Sequence, residues 1–145
     1  MRRTTIEEEL MRSGRCLLQT VGSSMEPLLQ ERSTTVVIER CKEAPQRGDV
    51  VLFRFGEESD AMYVLHRVIA KRGNIYRTRG DHCIRCESVP QEKILGRMKG
   101  YFDGETYVDC ETDTGYRRYL RGLGARYVGN WGRTLFQYLQ RRVKG

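Results

Sequence analysis

Apolar positions change their period twice along this chain. Ile6, Leu10 and Met11 recur at helical spacing behind Thr4-Thr5-Ile6-Glu7, a hydroxyl–carboxylate arrangement that can close a capping box. The pattern predicts a short N-terminal helix ending near Gly14. Beyond it the apolar residues gather into short runs. Residues 16–21 read as a buried strand that delivers the chain to Ser24, and the β-branched run at 34–38 is a second strand. Arg47-Gly48-Asp49 turns into a strand at 50–55, and another apolar strand covers 62–70. Arg72-Gly73-Asn74 then reverses the chain into 75–78 as a hairpin. Residues 94–98 and 106–109 form a last pair around Asp103-Gly104. From Gly115 the helical period returns, with Leu120, Leu123, Leu135, Phe136 and Leu139 set among arginines. The predicted class is mainly β (α+β). A single domain covers 1–114 and a basic helical tail covers 115–145.

Charge sharpens that division. Of the 145 residues, 116–145 carry eight Lys or Arg and no Asp or Glu, within a formal net charge of +7. The other residues hold 18 basic and 19 acidic side chains, so the basic character belongs to the tail. No stretch approaches the roughly 20 apolar residues of a membrane span. The N-terminus turns acidic at Glu7-Glu8-Glu9, where a secretory signal would turn apolar, and no cleavable signal is expected. Five cysteines, odd in number and irregular in spacing, then read as reduced thiols in a cytoplasm.

Two segments carry candidate chemistry. Gly22-Ser23-Ser24-Met25-Glu26-Pro27 places a hydroxyl in a turn at the end of an extended segment. Leu65-His66-Arg67-Val68 places one of only two histidines in a different strand. Serine is a weak nucleophile until a neighbouring base takes its proton, and an imidazole can do so near neutrality without burial. Taken singly, each residue has a plainer reading, Ser24 as loop chemistry and His66 as a packed strand histidine. His82-Cys83-Ile84-Arg85-Cys86 invites a metal reading, with Cys41 and Cys110 as further ligands. Zinc sites use two tight ligand pairs, and only one is present, so neither a metal nor another cofactor is expected.

Four boxes in order resemble the signal peptidase I superfamily, which includes the self-cleaving SOS-type repressors. Gly22-Ser23-Ser24-Met25-Glu26-Pro27-Leu28 resembles its nucleophile box, and Arg47-Gly48-Asp49-Val50-Val51 the strand box after it. Tyr63-Val64-Leu65-His66-Arg67-Val68-Ile69 resembles the general-base box. Thr78-Arg79-Gly80-Asp81, with Ile94-Leu95-Gly96-Arg97-Met98 after it, resembles the closing boxes. Together they span about residues 16–100. Bacterial signal peptidases and the repressors carry lysine before the Arg-Val pair. His66 instead matches the archaeal, endoplasmic-reticulum and sporulation-associated branch.

The resemblance implies coiled antiparallel sheets and a serine endopeptidase, with Ser24 as nucleophile and His66 as base. An acidic partner would hold the imidazole tautomer. Asp81 is the first candidate and Glu87 its rival, since Cys86-Glu87 stands where relatives often show paired aspartates. The Ser24 N–H would serve the oxyanion hole, while Gly22 occupies a position where some relatives carry a hydroxyl donor. Met25 and Pro27 would shape the turn and the substrate pocket. The expected substrate is an extended peptide, cut after a small residue, such as a leader on a cytoplasmic precursor. Two alternatives stand beside this: a non-catalytic peptide-binding or regulatory member, and a self-cleaving regulator. The latter's DNA-binding domain would not fit in the 15 residues before Cys16. No nucleic-acid partner is expected. The tail, with Trp131, Leu135, Phe136 and Leu139 among its arginines, would either lie on an anionic membrane surface or pack on the domain.

Overall fold

A computed structural model describes residues 5–56 and 62–123. Helix α1 covers Ile6–Ser13, and the strands are β1 (Arg15–Gln19), β2 (Thr35–Glu39), β3 (Val50–Phe55), β4 (Met62–Arg72), β5 (Ile75–Arg79), β6 (Glu87–Pro90), β7 (Ile94–Asp103) and β8 (Thr106–Asp109). A second helix, α2, is described over 114–123. Among the described residues the fold is mainly antiparallel β-sheet with two short α-helices. The cap of α1 sits one residue later than the Thr4–Glu7 box suggests: Thr5 accepts from the Glu8 N–H at 3.1 Å. Gly14 closes the helix in the left-handed region, at φ 79°.

All eight strands form one sheet in the order β1-β2-β7-β3-β4-β5-β6, with β8 also on β7. Strand β7 is the junction. Its residues 97–102 pair β2, while β3 at 94–97 and β8 at 100–103 pair it as well. A strand has two edges, and both β3 and β8 overlap the stretch taken by β2, so they share the opposite edge one after the other. Bulges make that possible. The register with β3 skips Leu95, and the register with β2 skips Lys99. Each extra residue bends the strand and increases its twist. Gly96 sits between them, where an added Cβ would lie 2.6 Å from the Glu39 carbonyl oxygen.

The bending explains why β3 reads as a continuous apolar run rather than an alternating one. Val50 and Leu52 enter a core with Leu10, Leu29, Ile38, Leu65 and Met98. Val51 and Phe53 point the other way, into a smaller core with Val68, Tyr76 and Val89. Both faces of β3 are therefore covered. Strand β7 extends five residues past its expected end, and β6 was not anticipated at all. Four residues ending in Pro90 carry too little pattern to register as a strand. Tyr116 and Leu123 of α2 are buried, and Tyr116 belongs to the larger core.

Candidate functional site

His66 sits in the middle of β4, opposite Val51 of β3, on the face that carries the smaller core. Its ring meets Phe53 edge-on at 6.2 Å between centroids. Nδ1 of His66 contacts Glu87 Oε1, at the first residue of β6. A carboxylate only accepts, so this contact assigns a proton to Nδ1 and leaves Nε2 as the ring's other nitrogen, beside Gly80.

Ser24 lies in the turn that follows β1, and its main chain is tied down from across the molecule. The Ser24 carbonyl accepts from the His82 N–H at 2.9 Å, in the segment joining β5 to β6. Gly80 makes this approach possible: a Cβ there would lie 2.5 Å from the Ser24 carbonyl oxygen, 2.8 Å from Cys83 Sγ and 3.1 Å from His66 Nε2. The serine segment and the imidazole thus converge on one point that only glycine leaves open. Ser24, Met25 and His66 line a single open cleft of about 440 Å³. Among the described residues, Ser24 Oγ makes no hydrogen bond to the imidazole. Gly22 turns at φ 89° and brings no side-chain donor to the cleft.

Asp81, the first candidate for the imidazole's acid partner, faces elsewhere. Its two oxygens take Arg67 Nε and the second guanidinium nitrogen, each at 2.8 Å, and Oδ2 also accepts from the Tyr119 hydroxyl at 2.8 Å. Arg67 further donates to the Gly48 carbonyl and to Tyr116. Burial opposes the charge on Arg67, but the hydrogen bonds and charge of Asp81 outweigh it and hold the guanidinium protonated. The reason for the exchange of roles lies in strand alternation. His66 and Arg67 point to opposite faces of β4, so an acid that reaches one is turned away from the other. Glu87, on the face of His66, takes the place expected of Asp81.

Met25 is buried in the larger core, lines the cleft, and accepts from the Asp81 N–H through its sulfur at 3.4 Å. Pro27 lies apart from the cleft, over a shallow depression beside Tyr101, Tyr116 and Tyr119. The tyrosines of α2 were not anticipated; their i, i+3 spacing was the only available signal.

The cysteines scatter. Cys83 stands beside Ser24, Cys86 is exposed, and all five thiols are free. Burial, then the nearby Glu87 charge, pushes the Cys83 thiol above its ordinary value, so it carries its proton at neutral pH. Among the described residues no group of three or more His, Cys, Asp or Glu converges as metal ligands would, and no helix is long and apolar enough to cross a membrane. Trp131, Leu135, Phe136 and Leu139, with the membrane-surface expectation attached to them, lie outside the described residues.

No protein-family model matches the chain, and no curated protein matches it closely enough to mark a relative.

Proposed function

We propose that the chain is a serine endopeptidase of signal-peptidase type that cleaves an extended peptide or a leader segment of a precursor protein. The observation that carries this reading is the carboxylate on Nδ1 of a histidine that lines one cleft with Ser24 and whose Nε2 closes, with the Ser24 carbonyl, on Gly80. Ser24 is the nucleophile and His66 the base that takes its proton. Glu87 orients the ring and stabilises the imidazolium formed during attack. An acyl-enzyme on Ser24 is then hydrolysed by water activated through the same imidazole. Asp81 supports the site as the buried partner of Arg67.

Substrate recognition follows from two strand edges. Strand β3 takes one edge of β4 over 62–67, and β5 joins the other edge only from Arg67 onward. Residues 62–66 thus leave an edge open among the described strands, as does β1, which pairs only β2. Both edges border the cleft, and an extended peptide entering it would add as a strand between them. Five free thiols agree with a reducing, cytoplasmic setting.

Incubation of the purified protein with a peptide library, beside Ser24→Ala and His66→Ala, tests the reading. Cleavage by the wild type and loss in both variants is expected; equal cleavage by all three, or none by the wild type, overturns it. A peptide-binding role without turnover is favoured by one observation, the lack of a hydrogen bond from Ser24 Oγ to His66. Peptide retained intact by the wild type and released on blocking the cleft would decide for that role.

A further inference from the structure

Three polar atoms on the face of the smaller core have no hydrogen-bond partner although they are buried: Tyr76 Oη, Thr78 Oγ1 and Glu87 Oε2. Two of them belong to one cross-strand pair. Thr78 of β5 stands directly opposite Glu87 of β6, and on its other side opposite Val68 of β4. Residues opposite one another in an antiparallel pair share a face, with Cβ atoms about 4.5–5.5 Å apart. Thr78 is wholly buried, at 0 % exposure, among Val68, Tyr76 and Val89. Valine has the same shape and would suit that environment without a polar atom to satisfy. The hydroxyl therefore needs an acceptor, and the adjacent carboxylate has an oxygen in need of a donor. The other carboxylate oxygen is the one on His66.

We infer that Thr78 is a positioning residue, whose hydroxyl donates to Glu87 Oε2, directly or through one ordered water, and so fixes the carboxylate against His66 Nδ1. The arrangement extends the line Ser24–His66–Glu87 by one member, and a carboxylate held at both oxygens cannot swing away from the ring. The inference deepens the proposed peptidase reading for its catalytic meaning, but the Thr78–Glu87 bond it assigns does not depend on whether Ser24 reacts.

The test reads that contact directly. In proton NMR the His66 Nδ1–H, bonded to a carboxylate, gives a far-downfield signal, assigned by its loss in His66→Gln. Thr78→Val removes the hydroxyl and keeps the volume, so the signal should move upfield and exchange faster with water. Thr78→Ser should restore it, and Tyr76→Phe should leave it in place. An unchanged signal in folded Thr78→Val, or a response to Tyr76→Phe instead, overturns the inference. If Thr78→Val does not fold, a high-resolution crystal structure of the wild type decides. Thr78 Oγ1 on Glu87 Oε2, directly or across one water, supports the inference, and Oγ1 turned to a backbone carbonyl overturns it. Where the wild type cleaves peptide, Thr78→Val should also lower kcat about tenfold with KM unchanged. A protein that cleaves nothing yet shows the signal changes loses the peptidase reading and keeps this one.

Discussion

At the scale of residues, two acids separated by six positions take different partners, Arg67 for Asp81 and His66 for Glu87. Asp81 is locked to Arg67 in the interior, and removal of its charge strands a buried guanidinium. Asp81→Asn should therefore destabilise the fold by about 3–5 kcal/mol, read from urea unfolding. Glu87→Gln should cost less than Asp81→Asn, since the amide keeps the size and an oxygen to accept from His66 Nδ1, and Glu87 is less buried than Asp81. On the proposed peptidase reading its effect should fall on cleavage, with kcat reduced by roughly a hundredfold or more as the imidazole loses its orienting charge. The reverse pattern in the two variants would assign the roles the other way. The sequence marks an acid after the Gly-Asp box without saying which one, because the choice depends on which face of β4 each can reach. That Ser24 and His66 meet at one cleft accords with the expectation from their flanking residues. Thr78 was not legible, since a strand threonine looks the same whether its hydroxyl is idle or engaged.

At the scale of elements, the segment between β5 and β6 holds the site together although it has no regular structure. It carries Gly80 against both Ser24 and His66, and it supplies the N–H of His82 to the serine carbonyl. In Gly80→Ala the new methyl would meet a backbone oxygen that cannot yield, and the serine turn must move off the imidazole. Cleavage should fall about a hundredfold, with folding retained by circular dichroism. Equal activity would show that the two segments do not need this approach. Helix α1 and strands β3, β4, β5 and β8 could be read from periodicity, because their apolar runs are long or bounded by Gly turns. Strand β6 could not, and the five extra residues of β7 were hidden by bulges and by Gly100, which interrupt any alternating pattern.

At the scale of the whole molecule, α2 packs on the sheet beside groups whose burial favours their protonated forms. Burial pushes the Cys110 thiol up to about 12, against the pull of Tyr116's hydrogen bond, and burial likewise lifts Tyr101 to about 12. Groups with raised folded values contribute their stability in full below the ordinary values of 9.0 for the thiol and 10.0 for the phenol. That contribution drains away as pH rises toward 12. Urea midpoints should hold steady up to about pH 9 and then decline, and Cys110→Ser should begin its decline later. The mainly β class was legible from the chain, but the joining of the described strands into one sheet through β7 was not, because it depends on bulges that only pairing reveals.

Strand β3, covered on both faces, also divides the site by lability. Its amide protons, with those of the paired stretches of β4 and β7, should be the last to exchange with deuterium, since only global unfolding frees them. Ser24 hangs on a turn held by a few loop hydrogen bonds and should exchange orders of magnitude sooner, by local opening. On the proposed peptidase reading, His66 would then stay in place while Ser24 comes and goes, and the fraction of time the turn is closed would scale the rate of every cleavage event. Native-state exchange measured peptide by peptide would show this as a fast segment at 22–30 beside a slow one at 50–55. Equal protection of the two would mean that the site opens only when the molecule does.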